Sequence, residues 1–435
     1  MSAQQTNAAE DETQRFRASS RNFVTLIFYG TLVRVGWIFK TESIVMPAIL
    51  DSLGGGGWLR GCLPMLNRLG QSLSPLIFSE AIRRLGRKKF ALSFFVAVMG
   101  LSFGALALIW YLLDGHYPAW LPYLFLAIYS VFWFSVGLHN LCVSLLFGKL
   151  IAANRRGRLM LLTTSVGSLF AISAAWFLMK PWLATGSDNF VWLFVGTAVV
   201  MLAASVLALT LAEEKVVASQ ASNSLVQVFA NSISILKTDR NFRLLVIIAA
   251  TYGVSITLVP HYQAYVRENL NWGLAACVPW VIAQNLGAGF FSIPIGQIAD
   301  RFGYRRALNW TMLVLCAAPL LTMFFLRYGV ATETSQFGFQ VVFFLLGLTP
   351  VTMRTFSNYT LEIADADHQP IYLSTLGLGM ALPAVLFSAG VGALVDIIGF
   401  EKVFFGVVAV LLFGWSLTFR LIEPRDQNAN ARSRV

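Results

Sequence analysis

The sequence predicts an all-α membrane protein, with twelve transmembrane helices in two six-helix pseudo-symmetric bundles. Three observations lead there. Of 435 residues, 57% are hydrophobic and only 12% charged, where a soluble domain carries about 25% charged residues. Apolar runs of roughly 20 residues, enough to cross about 30 Å of hydrocarbon, recur about twelve times. A charged, glycine-containing turn after the second run returns after the eighth. Mean hydropathy is +0.68, and the polar helix faces that a soluble fold needs are missing. The same composition excludes disordered and disulfide-scaffold chains.

Taken in order, residues 1–21 are polar and mixed in charge and lack a signal-peptide pattern. They read as a disordered cytoplasmic tail. The first bundle, 22–212, has spans near 22–42, 59–79, 90–113, 121–148, 159–181 and 190–212. Arg34, Lys40 and Glu42 interrupt the first span, and Gly54 to Gly57 read only as a flexible outer turn. A cytoplasmic central segment, 213–242, holds Glu213, Glu214, Ser/Gln/Asn-rich sequence and a short amphipathic stretch. The second bundle, 243–422, has spans near 243–266, 274–298, 307–327, 338–362, 371–395 and 403–422, before a cytoplasmic tail, 423–435. The remaining loops are too short to hide an extramembrane domain.

Lysine and arginine orient these spans. With the N-terminus inside, the inner breaks collect Arg83, Arg84, Arg87, Lys88 and Lys89, then Lys149, Arg155, Arg156 and Arg158, then Lys215, Lys237, Arg240 and Arg243, then Arg301, Arg305 and Arg306. The outer side and its margins hold only Lys40, Arg60, Lys180, Arg267, Arg327 and Lys402. Cytoplasmic loops accumulate basic residues, so both termini are expected in the cytoplasm. The net charge of +11 then needs no nucleic-acid partner. A multi-pass protein of the bacterial inner (plasma) membrane is the expected setting, surrounded by lipid and working as a monomer. Cys62, Cys142, Cys277 and Cys316 lie in apolar stretches without paired spacing, as buried free thiols do.

The turn after the eighth span reads Gly296, Asp300, Arg301, Gly303, Arg305, Arg306; its counterpart after the second reads Ser79, Glu80, Arg83, Arg84, Gly86, Arg87, Lys88, Lys89. Both place a glycine before a basic cluster, and Gly86 and Gly303 suit left-handed helix C-caps. This pattern resembles the major facilitator superfamily, whose signature between spans two and three is G-x-x-x-D-R-x-G-R-R with a weaker second copy. The first copy departs from it, with Ser79 for glycine and Arg83 for aspartate. Arg155, Arg156, Gly157 and Arg158 after span four also resemble the family's basic turn. The resemblance implies a cytoplasmic gate in which Asp300 and Arg301, with Gly296, Gly303, Arg305 and Arg306, latch neighbouring helix ends, and Glu80, Gly86 and Arg87 do so in the first half. A plain basic loop with a helix cap is the alternative. The proline motif of span five and the span-four arginine of drug/proton antiporters are absent, which argues against a multidrug exporter.

Ionisable groups at bilayer depth are costly and tend to face cavities or partners. At 1.5 Å per residue, Arg34 lies roughly 18 Å from the inner surface and Arg68 roughly 14 Å from the outer one, near the midplane where transporters place substrate. Arg354 sits nearer the cytoplasmic end of span ten. Acids at matching depth are scarce, and a guanidinium fork suits carboxylate or phosphate. Arg34, Arg68 and Arg354 are therefore candidate substrate-binding residues, with bonds to neighbouring helices as the alternative. His139-Asn140 and Gln284-Asn285 are polar pairs on apolar helices and further candidates. Tyr252, His261 and Tyr262 could line the pore, while Glu42 and His139 are proton-coupling candidates.

No nucleophile–histidine–acid set, metal-ligand cluster or nucleotide motif is present in the sequence, so no enzyme, metal or cofactor is expected. The expected function is secondary active transport of a small anionic or carboxyl-bearing solute by alternating access, with a coupling proton or ion. A non-transporting protein of the same fold, serving as sensor, lipid-handling or assembly factor, is the second reading.

Overall fold

The computed structural model describes residues 3–184, 190–215, 225–270, 272–328, 333–365 and 368–423. Among them no strand occurs. The chain divides into two compact units: residues 1–40, 73–118 and 123–222 form the first, and residues 41–72, 119–122 and 223–435 the second.

The first unit is built from α1 (Ala3–Phe39), the latter part of α3 (Gly57–Arg84), α4 (Lys88–Leu113), α5 (Leu121–Leu150), α6 (Ala153–Ala174) and α8 (Phe190–Leu209). The α6 rod continues through a π-turn at Ala175–Met179 into α7 (Lys180–Ala184). Apart from that turn the apolar sequence keeps these rods regular, because in hydrocarbon a backbone must satisfy its own hydrogen bonds. Helix α4 runs along α8, and α1 packs on both α6 and α8. Phenylalanines lock the core: Phe103 meets Phe132 edge-on at 5.1 Å, and Trp110 meets Phe194 at 5.0 Å.

The second unit repeats the plan with α10 (Arg240–Ile256) and its continuation α11 (Val259–Leu270), α12 (Val278–Phe302), α13 (Tyr304–Tyr328), α14 (Glu333–Leu346) and α15 (Leu348–Ile363), α16 (Gln369–Ile398) and α17 (Phe400–Thr418). Its pairings match the first unit: α13 runs along α17, and α10 packs on α16 and α17. The amphipathic stretch of the central segment is helix α9 (Leu225–Thr238), which lies on α10 and α16. This unit also takes in α2 (Val45–Ser52) and the first four turns of α3.

Eleven helical segments are long and apolar enough to cross a membrane among the described residues. The twelfth rod is α3, as long as the others at 28 residues but lowered in hydropathy by Arg60, Asn67, Arg68, Gln71, Glu80, Arg83 and Arg84. Large apolar side chains point outward along the rods, with Tyr111 73%, Phe177 72% and Ile397 77% exposed, as a lipid-facing surface requires.

Three sequence expectations are corrected. The polar start is helical from Ala3 rather than irregular, because alanine, glutamine, glutamate and arginine are good helix formers. Gly86 does not take a positive φ, whereas Gly303 does at 86°. With ψ at 163°, Gly303 lies in an extended region open essentially to glycine alone. Gly57 belongs to no turn: it is the first residue of α3, and the turn covers only 53–56. Residues 216–224 of the central segment and 424–435 of the final tail lie outside the described residues.

Candidate functional site

The repeated turn has a structural key that the basic cluster conceals. In the first unit, the Lys89 N–H at the start of α4 donates to Glu213 Oε2 at 2.8 Å, and Lys149 Nζ donates to Glu213 Oε1 at 2.9 Å. Asn22 holds the preceding residue on both sides, accepting from the Ala212 N–H at 2.8 Å and donating to its carbonyl at 2.9 Å. In the second unit, the Arg305 N–H at the start of α13 donates to Glu423 Oε2 at 3.0 Å, while Asn241 accepts from the Ile422 N–H at 3.0 Å. A carboxylate set against the free N–H groups of a helix start is favoured by hydrogen bonding and by the helix dipole. Both glutamates are buried. A Cβ on Gly303 would overlap the Glu423 carboxylate, so glycine is needed there.

The candidate gate residues surround these caps. Glu80 spends its carboxylate on Arg84 of its own helix at 2.8 Å. Arg87 flanks the start of α4 in an extended conformation, and Gly86 accommodates the Lys215 side chain, 2.9 Å from where its Cβ would be. Asp300, Arg301 and Arg306 are exposed, Arg305 is half-buried, and Gly296 has open space around it.

The mid-helix polar residues divide between the units. In the first, the Arg34 chain lies over Gly167, its Cδ 3.1 Å from where a Cβ on that residue would stand. His139 is buried; its Nδ1 is 3.1 Å from Asn140 Oδ1 and its ring lies 6.1 Å from that of Tyr29. Nearby, Lys40 Nζ sits inside an aromatic box, 3.5 Å from the Trp37 ring centre, 4.1 Å from Trp133 and 4.7 Å from Phe132. Faces of aromatic rings attract cations, more strongly when water is excluded.

In the second unit, Glu42 accepts from Asn67 Nδ2 at 2.6 Å, and Asn67 in turn accepts from Gln71. Ser43 donates to Gln284 Oε1 at 2.6 Å. Arg68 stands on the same stretch of α3, half-buried, with its Nε buried and unbonded among the described residues. Glu42 and Ser43 thus tie this stretch to α3 and α12, and Arg68 follows Asn67 on α3. Asn285 is not recruited, since its amide returns to the Val281 carbonyl of its own helix at 2.9 Å. Arg354 is exposed on α15. Tyr252, His261 and Tyr262 are buried, and Tyr262 lines a small cavity together with Ser255, Val259 and Thr349. Tyr252 donates to the Thr349 carbonyl at 2.8 Å, and Tyr262 packs on Phe404 at 5.0 Å.

A second constellation in this unit was not anticipated from sequence. Arg60 is 5% exposed and meets Asp51 at 2.8 Å, Glu268 at 3.1 Å and Asp396 at 3.9 Å. Gln263 donates to the other Asp51 oxygen at 2.9 Å. Asp396 takes the Gly57 N–H on both its oxygens, at 2.9 and 2.8 Å, and so caps α3. Burial pushes the Asp51 carboxyl above the ordinary range, against the downward pull of Arg60. Beneath this cluster, Gly57 and Gly61 of α3 meet Gly392 and Ser388 of α16 backbone to backbone. Small residues four apart on facing helices permit that approach. The signal was present as Gly57-x-x-x-Gly61 and Ser388-x-x-x-Gly392, masked by the glycine run that precedes the first. Among the described residues, no group of three or more His, Cys, Asp or Glu side chains is placed to hold a metal ion.

Comparison with known proteins follows this geometry. The sequence model described as Major Facilitator Superfamily matches residues 278–434. No curated protein matches the chain. Among solved structures, a mutant form of the nucleoside transporter NupG superposes with a TM-score of 0.74 at 11% identity, covering 92% of this chain and 100% of that one. A POT family transporter in complex with 5-aminolevulinic acid gives 0.69 at 14% identity, covering 92% and 95%. A bacterial homolog of the human lysosomal transporter Spinster, inward-facing and unoccupied, gives 0.61 at 13% identity, covering 93% and 97%.

Proposed function

We propose, for a chain whose residues 278–434 match the Major Facilitator Superfamily model and whose fold is similar to transporters of known structure, secondary active transport of a small anionic or carboxyl-bearing solute by alternating access. One observation supports the anionic reading: the half-buried Arg68, next to Asn67 on α3 and within electrostatic range of Tyr252, has a buried Nε donor unbonded among the described residues. A planar fork with spare donors suits a carboxylate or phosphate. In the first unit, Arg34, His139 and Asn140 are proposed as candidate substrate-binding residues in their own right. The similar POT family transporter was solved with 5-aminolevulinic acid, itself a carboxylic acid. Glu42 and His139 are the proposed proton-coupling groups, and Asp300 with Arg301 the cytoplasmic gate. The excess of basic residues in the breaks on the side of the termini supports a cytoplasmic location for both, and the proposed setting is a monomer in a bacterial inner membrane.

Flux measured in proteoliposomes across a panel of carboxylic acids and their neutral amides tests the reading. Uptake of at least one acid, responsive to a pH step, is expected. Arg68→Ala and Arg34→Ala should each lower it by about tenfold or more, equivalent to about 1.4 kcal/mol, with insertion intact. Uptake unchanged in both variants would reject the site, and no flux of any solute would favour the non-transporting reading.

A further inference from the structure

We infer that the Asp51 carboxyl is a proton-binding site whose occupancy governs how firmly residues 41–72 are fastened to α11 and α16. All the contacts involved lie inside the second unit, and the inference requires neither the anionic solute nor the gate at the basic turns.

Three carboxylates, Asp51, Glu268 and Asp396, converge on the single guanidinium of Arg60. They differ in what else stabilises them. The Asp396 carboxylate is held by the Gly57 N–H at the start of α3, where the helix dipole also favours a negative charge. The side chain of Glu268 is 54% exposed and keeps its water, whereas that of Asp51 is 20% exposed. Its remaining neighbours are Gln263 through one hydrogen bond and Arg267 through space, both from α11. The other ionisable groups of the layer face elsewhere. His261 is fully buried within electrostatic range of Arg60, and Glu401 of α17 accepts from Tyr265 at 3.0 Å. Among clustered carboxyls, the one with least access to water is the one that keeps a proton most readily.

The sign of the pH effect follows by linkage. While residues 41–72 are fastened, burial holds the Asp51 carboxyl above its ordinary 3.8. On release it returns to water and to that ordinary value. Between the two values the fastened state binds more protons, so falling pH favours fastening and rising pH favours release. Release thereby discharges a proton at that surface.

The test uses the full-length protein carrying spin labels at Ser52→Cys and Lys402→Cys, two exposed positions. The four native cysteines are buried. Pulsed electron–electron distance measurement at pH 4, close to the ordinary carboxyl value of 3.8, should give mainly a short separation. At pH 8 the fraction of a longer separation should be larger, the rise following a single-proton curve. Asp51→Asn, permanently neutral, should hold the short distance at both pH values. Gln263→Leu, which removes a hydrogen bond that favours the ionised form, should move the midpoint to higher pH. A distance distribution that ignores pH, a full pH response retained in Asp51→Asn, or a midpoint unmoved by Gln263→Leu would each overturn the proposal.

Discussion

The two buried glutamates Glu213 and Glu423 carry more structural weight than the arginines around them. Each satisfies the N–H groups at a helix start from a chain segment more than a hundred positions away. Removing one leaves a part-buried backbone donor without its acceptor, at a cost of about 1–3 kcal/mol. Glu213→Ala should therefore lower the unfolding temperature in detergent, measured by scanning fluorimetry. Glu213→Gln should lower it less, because the amide oxygen still accepts. Glu423→Ala should match Glu213→Ala, and the two should add, since they share no partner. A variant that melts with the wild type would refute the role. These residues were readable in principle, because each follows a leucine by two positions at the end of a sixth span, Leu211 to Glu213 and Leu421 to Glu423. The basic cluster drew attention because charge is conspicuous in sequence, whereas a cap becomes visible only when the helix start it meets is known.

At the scale of helices, the apolar runs read from sequence include all twelve rods; eleven of the described helices are long and apolar enough to cross a membrane, and the twelfth, α3, has the length without a clean apolar face. The polar content of α3 is its function in the fold: Arg60 and the Gly57/Gly61 pair belong to its docking on α16, while Asn67 and Gln71 extend a hydrogen-bonded chain from Glu42. Gly61→Leu tests the docking. A larger side chain would strike the Ser388 carbonyl, and forcing extra methylenes into a tight contact typically costs 1–3 kcal/mol, here taken as about 2 kcal/mol. The variant should unfold earlier and expose residues 41–72 to limited proteolysis, and a proteolytic pattern identical to wild type would contradict the close approach. Other features at this scale had no sequence signal. The π-turn at Ala175–Met179 interrupts a run that is apolar throughout, and the burial of Tyr252, His261 and Tyr262 depends on which side of α10 and α11 meets the rest of the unit.

For the whole molecule, the internal repeat was legible because it is written twice. The turn ending at Arg305 and Arg306 has a degenerate echo at Lys88 and Lys89, and both halves pair their helices in the same order. The family's sequence model covers only residues 278–434, where the better-preserved copy lies, while the fold extends over 92% of the chain. The assignment of residues 41–72 to the second unit could not be read, since a chain position says nothing about which neighbour it will adopt. Were the backbone severed between Lys215 and Leu225, the amino-terminal fragment would still contribute α2, the first four turns of α3 with their glycine seam, and Arg60 to its companion's interior. Co-expressed fragments should therefore copurify through a tag on either one, and Gly61→Leu combined with Arg60→Gln should let them part.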